Sequence, residues 1–279
     1  MNSSTMRHDT IRYLLAGVFR TMAYTAWGDP AAPAVVCVHG LTRTGRDFDA
    51  LAAALARDHY VLCPDLPGRG ASDWLDDSAL YQPIDYVTAL AALLAGLGPV
   101  GWVGTSLGGI CGMLVAAMPG QPITRLVLND IGPHIPAAAL ARIRDYIGMT
   151  PVFPNLPTLE QHLRRVHAPF GPLTDTQWAH LATTSARAVS AGVTLHYDPA
   201  IAAPILATTP ADVDLWPVWA QITVPVLAIR GASSDLLLPD TLARMAIDGA
   251  QTLIVADAGH APALMDEPTI AAISSFLSP

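Results

Sequence analysis

Gly104-Thr105-Ser106-Leu107-Gly108-Gly109 is the stretch on which the reading of this chain turns. The apolar run from Val100 to Gly104 precedes it and reads as a short strand, and the apolar period from Leu107 to Met118 follows it and reads as a helix. A serine at such a junction, with glycine two residues before and two after, fits a sharp turn in which neighbouring backbones approach too closely for side chains. That turn holds its central residue in a strained geometry and exposes the hydroxyl. Ser106 is therefore a candidate nucleophile.

Outward from this turn, short continuous apolar runs alternate with helical periods. Upstream, Ile11 to Trp27 reads as a hairpin, Ala34 to Val38 as a strand, Arg46 to Arg57 as a helix, Tyr60 to Cys63 as a strand and Ile84 to Leu97 as a helix; Arg125 to Leu128 is the next strand downstream. Continuous rather than alternating hydrophobicity implies strands covered on both faces. The expected class is α/β, a mostly parallel twisted sheet flanked by helices.

The rhythm stops after about Pro133. Up to Ile222 only helical periods are legible: Ala137 to Ile147, Leu159 to Val166, a helix opened by Thr174 with Gln177 as a capping box, and Val213 to Gln221. It resumes with strands at Pro225 to Ile229 and Thr252 to Val255 and helices at Thr241 to Ile247 and Thr269 to Leu277. Residues 1–132 and 223–279 are thus expected to form the core, with 133–222 inserted as a helical cap over one sheet edge.

Composition narrows the chemistry. The chain has 279 residues, 52% hydrophobic and 14% charged, with a net charge of −8, enough to build a sizeable core. All 15 cations are arginine, so a phosphate-loop lysine and a lysine Schiff base are excluded. The acidic balance argues against nucleic acid. No residue between Tyr86 and Thr124 is charged, yet Gly96, Gly98, Pro99, Gly101 and Gly104 break this stretch into pieces too short to span a membrane. Cys37, Cys63 and Cys111 have no CxxC spacing, and no signal peptide is legible, so a cytoplasmic location is expected.

A serine hydroxyl needs a base, and the base works best when a carboxylate fixes its tautomer. Gly231-Ala232-Ser233-Ser234-Asp235 lies just beyond one strand and Gly259-His260 just beyond the next, at the sheet edge where Ser106 also falls. Asp235 is taken as the acid and His260 as the base; Asp130, at the end of the strand Arg125 to Leu128, is the rival acid. His39 suits a buttressing role beside Gly40-Leu41. The other histidines show no metal-ligand spacing, so no metal is expected.

Four segments in this order, His39-Gly40-Leu41, Pro64-Asp65-Leu66-Pro67-Gly68-Arg69-Gly70-Ala71-Ser72-Asp73, Gly104 to Gly109 and Gly259-His260, give a chain that resembles the α/β-hydrolase superfamily over essentially its whole length. The resemblance implies the triad order Ser, Asp, His and an oxyanion hole made by the backbone N–H groups of Leu41 and Leu107. It says little about the substrate; the leading expectation is a serine hydrolase for small to medium, largely apolar esters or lactones, needing no cofactor. Carbon–carbon bond hydrolysis of a diketone, cofactor-free perhydrolysis and a non-catalytic ligand sensor are the alternatives. In the cap, Phe153, Tyr197, Trp216 and Trp219 are candidates for lining the pocket, and Arg43 is a candidate clamp for a substrate carboxylate.

Overall fold

The computed structural model describes residues 6–278. Strands β1 (Arg7–Leu15) and β2 (Val18–Trp27) pair antiparallel from Leu15 opposite Val18 outward. The two residues between them, Ala16 and Gly17, both have positive φ, which matches the turn twist to the strand twist. Next come β3 (Ala34–Val38), α1 (Asp49–Leu55), β4 (Tyr60–Pro64), α2 (Pro83–Leu94), β5 (Val100–Thr105), α3 (Leu107–Ala116) and β6 (Ile123–Asn129). The helix expected from Arg46 is shorter than its apolar period, because Gly45–Phe48 forms a tighter 3-10 turn capped by the Thr44 hydroxyl.

The segment after β6 departs from the expectation of helices only. It contains β7 (His134–Ile135), α4 (Ala137–Arg144), β8 (Val152–Phe153), α5 (Leu156–Val166), α6 (Asp175–Ser185), β9 (Ala186–Val189), β10 (Gly192–Leu195), α7 (Ala203–Leu206), β11 (Val213–Asp214) and α8 (Trp216–Trp219). These strands are two to four residues long, too short for a period of two to register in the sequence. The helix read from Val213 begins later, because Val213 and Asp214 pair with β7. The capping box at Thr174 and Gln177 is formed as expected.

The chain then returns through β12 (Val226–Gly231), α9 (Pro239–Ile247), β13 (Gln251–Val255) and α10 (Glu267–Leu277). The main sheet has eight strands in the order β1-β2-β4-β3-β5-β6-β12-β13, parallel from β4 to β13 with the hairpin antiparallel at one edge. Within β3, Val36 and Val38 enter the core with Trp102, Leu126 and Met113, while Val35 and Cys37 enter the opposite core with Leu51, Leu55 and Phe276. Both sets are buried, which is why the strand reads as a continuous apolar run. Among the described residues no helix is long and apolar enough to cross a membrane. In a parallel sheet the carboxyl ends of β3, β5, β6, β12 and β13 share one edge, and every candidate site residue follows one of them or lies within residues 133–222.

Candidate active site

Ser106 caps the start of α3 with φ 50° and ψ −111°, the strained geometry expected of the turn. The flanking glycines explain how the turn closes. A Cβ on Gly108 would lie 1.9 Å from the Val38 carbonyl oxygen, and one on Gly104 2.3 Å from that of Gly108. The Ser106 N–H donates to the Asn129 carbonyl at 3.0 Å, tying the turn to the end of β6. The Asn129 side chain extends that link, its amide donating to Thr105 Oγ1 at 3.0 Å and to the Pro262 carbonyl at 2.8 Å. One buried asparagine thus binds the serine turn to the loop that carries His260.

His260 Nδ1 lies 2.7 Å from Oδ2 of Asp130, whose side chain is fully buried. Because a carboxylate only accepts, Nδ1 carries a proton, and in the neutral ring the lone pair lies on Nε2, on the far edge. Asp130 is held from every side: Oδ1 accepts from the Gly231 N–H at 3.0 Å, Oδ2 accepts from the Ser234 hydroxyl at 2.6 Å, and its own N–H donates to the Ile229 carbonyl at 2.8 Å. Asp235, expected as the acid, takes no part in this group of contacts among the described residues. Its carboxylate is half exposed and forms a two-bond pair with Arg142 of α4, at 2.6 and 2.9 Å. The physical reason lies in the turn after β12, where the buried hydroxyl of Ser234 points inward to Asp130 and Asp235 faces outward to the insert.

In the loop after β3, His39 Nδ1 donates to the Gly40 carbonyl at 2.7 Å and Nε2 accepts from the Leu66 N–H at 2.9 Å. Complete burial pushes this imidazole down to about 3, so it stays neutral in that tautomer. The Gly40 carbonyl and the Leu41 N–H belong to one trans peptide and point in opposite directions. Fixing the carbonyl on His39 therefore fixes the direction of the Leu41 N–H. A Cβ on Gly40 would sit 3.8 Å from that of Ser106, so this loop abuts the serine. Arg69, fully buried, donates from Nε to the Leu41 carbonyl at 2.9 Å and from Nη1 to Pro67 and Tyr86. The Leu107 N–H opens α3, where backbone donors have no carbonyl of the same helix to reach.

A cavity of about 510 Å³ is lined by Ser106, Leu41 and Leu107 and continues between α2, α3 and the insert, past Ile131, Leu140 and Ile205. The side chains expected to line it are elsewhere. Phe153 packs with Leu159, Leu163 and Trp178 in the insert's own core and faces His162. Tyr197 is buried in the main core, and Trp219 is buried with its Nε1–H donating to Asp248. Trp216 lies under the Arg244 guanidinium, 3.6 Å from the ring centre. Arg43 is buried in a two-bond pair with Asp47 and also donates to Ser185. Each of these residues satisfies a packing or pairing demand, and the cavity wall is mostly aliphatic instead, with Tyr81 and Tyr86 on the core side. Among the described residues no group of three His, Cys, Asp or Glu side chains is placed to hold a metal.

The sequence profile of the alpha/beta hydrolase family matches residues 35–272. The chain belongs to this family and is a hydrolytic enzyme. It is 43% identical over 277 residues to the 3-hydroxybutyrate-oligomer hydrolase of Cupriavidus necator, covering 94% of each chain. Among solved structures it is similar to an alpha/beta hydrolase from Novosphingobium aromaticivorans, with a TM-score of 0.87, 37% identity and 99% of each chain covered. A structure from Rickettsia typhi superposes with a TM-score of 0.90 at 30% identity over 98% of each chain.

Proposed function

We propose that this enzyme cleaves small to medium carboxylic esters, with linear esters of 3-hydroxybutyrate as the leading substrate class, through an acyl-enzyme on Ser106. The observation that carries the mechanism is the 2.7 Å contact between His260 Nδ1 and the buried Asp130 carboxylate, at the sheet edge where the strained Ser106 turn lies. In this reading, His260 Nε2 takes the Ser106 proton as Oγ attacks the ester carbonyl. The Leu41 and Leu107 N–H groups receive the developing oxyanion, the second at a helix start whose dipole favours negative charge. His260 then passes the proton to the leaving alcohol, and water repeats the sequence to free the acid. Asp130, not Asp235, fixes the tautomer and stabilises the imidazolium.

The substrate class rests on the relative of Cupriavidus necator together with the cavity, whose aliphatic wall suits short methyl-branched chains. Residues 133–222 act as the cap that shapes this cavity. We place the enzyme in a reducing compartment, the cytoplasm, on its three buried free cysteines. The test is labelling by a fluorophosphonate together with turnover of p-nitrophenyl butyrate and of 3-hydroxybutyrate dimer. Ser106→Ala should remove labelling and lower turnover by several orders of magnitude. Retention of both in Ser106→Ala would refute the mechanism.

A further inference from the structure

Of the described side chains lining the cavity over Ser106, only Arg144 and Asp212 carry a charge. Asp212 is occupied, Oδ1 accepting from the Ala137 N–H at 2.8 Å and Oδ2 facing His134 Nε2 at 3.3 Å. Arg144 is placed differently. At the end of α4, its Nη1 donates to the carbonyls of Ile205, at 2.7 Å, and of Thr208. Two backbone carbonyls therefore fix the guanidinium in position without neutralising it. Among the described residues Arg144 has no carboxylate within ion-pairing distance, whereas Arg43, Arg46, Arg142 and Arg164 each have one. Among the described residues its Nε and Nη2 have no hydrogen-bond acceptor, the two bonds it makes both coming from Nη1. Arg144 is thus a half-buried, anchored cation that shares the cavity wall with Ile143, Ile201 and Ile205 and is placed to take an anion from within the cavity.

We propose that Arg144 receives the free carboxylate of the substrate, so that the enzyme selects esters whose alcohol half is itself an acid. The inference rests on the esterase reading above and names its substrate class more closely. In a linear ester of hydroxy acids the free carboxylate belongs to the alcohol half of the terminal ester bond. Carboxylate on Arg144 then sets that half in the insert-lined arm of the cavity with the terminal carbonyl at Ser106. Ser106 Oγ forms the acyl bond as the bond between the carbonyl carbon and the alcohol oxygen breaks. His260 returns the proton to that oxygen, and a free hydroxy acid leaves. Water then cleaves the acyl-enzyme, so each turnover consumes one water and shortens the chain by one unit from its acid end.

The test compares kcat/KM for the linear dimer of 3-hydroxybutyrate as free acid and as methyl ester, in wild type, Arg144→Gln and Arg144→Lys. Wild type should favour the acid by about ten- to a hundredfold, the scale of a charge-assisted two-bond contact away from bulk water. Arg144→Gln should bring the ratio near one, and Arg144→Lys should lie between, since lysine keeps the charge and loses the fork. The ratio is internal to each preparation, so partial loss of folded protein does not affect it. If Arg144→Gln cleaves neither ester, the wild-type ratio and Arg144→Lys decide. A wild-type ratio near one, or a variant ratio as large as wild type, would overturn the inference while leaving ester hydrolysis intact. A wild-type enzyme that cleaves neither ester would overturn the esterase reading and this inference with it.

Discussion

Replacing Asp130 by asparagine keeps the shape of the side chain and removes its charge and one acceptor. The backbone should tolerate the change, because φ at this position is 55° and asparagine occupies the left-handed region readily. Oδ1 can still accept from the Gly231 N–H, and the Ser234 hydroxyl can rotate to accept from the new amide. His260 has no such freedom. To accept from an amide N–H, its Nδ1 must lose the proton, which then sits on Nε2, where the serine needs a lone pair. The expected loss is about 10⁴-fold in kcat, or roughly 5 to 6 kcal/mol of transition-state stabilisation at about 1.4 kcal/mol per decade. Asp235→Asn breaks only an exposed pair with Arg142, worth under about 1 kcal/mol, and should leave kcat within about twofold. Both variants would be assayed with p-nitrophenyl butyrate, with circular dichroism to check the fold. A severe loss in Asp235→Asn beside a mild one in Asp130→Asn would refute the assignment.

Burial pushes His39, His167 and His196 below the ordinary histidine range, so the unfolded chain binds more protons than the native one once pH falls below about 6.5. Stability should therefore decrease as pH falls from about 6.5 towards the native value of about 3 for His39, by up to about 1.4 kcal/mol per pH unit for each imidazole; urea midpoints equal at pH 7.5 and 5 would contradict this. Trp219→Ala should destabilise by about 3 to 5 kcal/mol, the cost of emptying a buried aromatic site, and leave the preference among acyl chain lengths nearly unchanged. A change in chain-length preference in a folded Trp219→Ala protein would return that residue to the cavity wall.

The sheet was legible because its strands are buried on both faces and the glycines around Ser106 answer a steric demand that spacing alone reveals. The choice between Asp130 and Asp235 was not legible. Both follow a strand at the correct edge, and what separates them is the direction of each side chain. That direction depends on a positive φ at Asp130 and on an inward-turned hydroxyl at Ser234, neither of which leaves a periodic trace. Asn129, which joins the serine turn to the histidine loop, reads in sequence as one more polar residue ending a strand. The aromatic residues of the insert misled for a related reason. Large apolar side chains serve a core and a pocket equally well, and only packing against Leu163 or bonding to Asp248 tells which. Arg144 carried no signal, since its isolation from carboxylates is a property of three dimensions.

The exchange of partners around β12 has a consequence for how this scaffold can change. Ser106 and Asp130 follow adjacent strands, β5 and β6, joined directly through the Ser106 N–H and the Asn129 carbonyl. The end of β12 and the turn after it brace Asp130, through the Gly231 N–H and the Ser234 hydroxyl. Under the mechanism proposed above, outward-facing positions there, Asp235 among them, take no part in the chemistry and can drift or be redesigned to grip residues 133–222 differently. Such a division lets a lineage retune what the cavity admits while the reacting groups remain where they are.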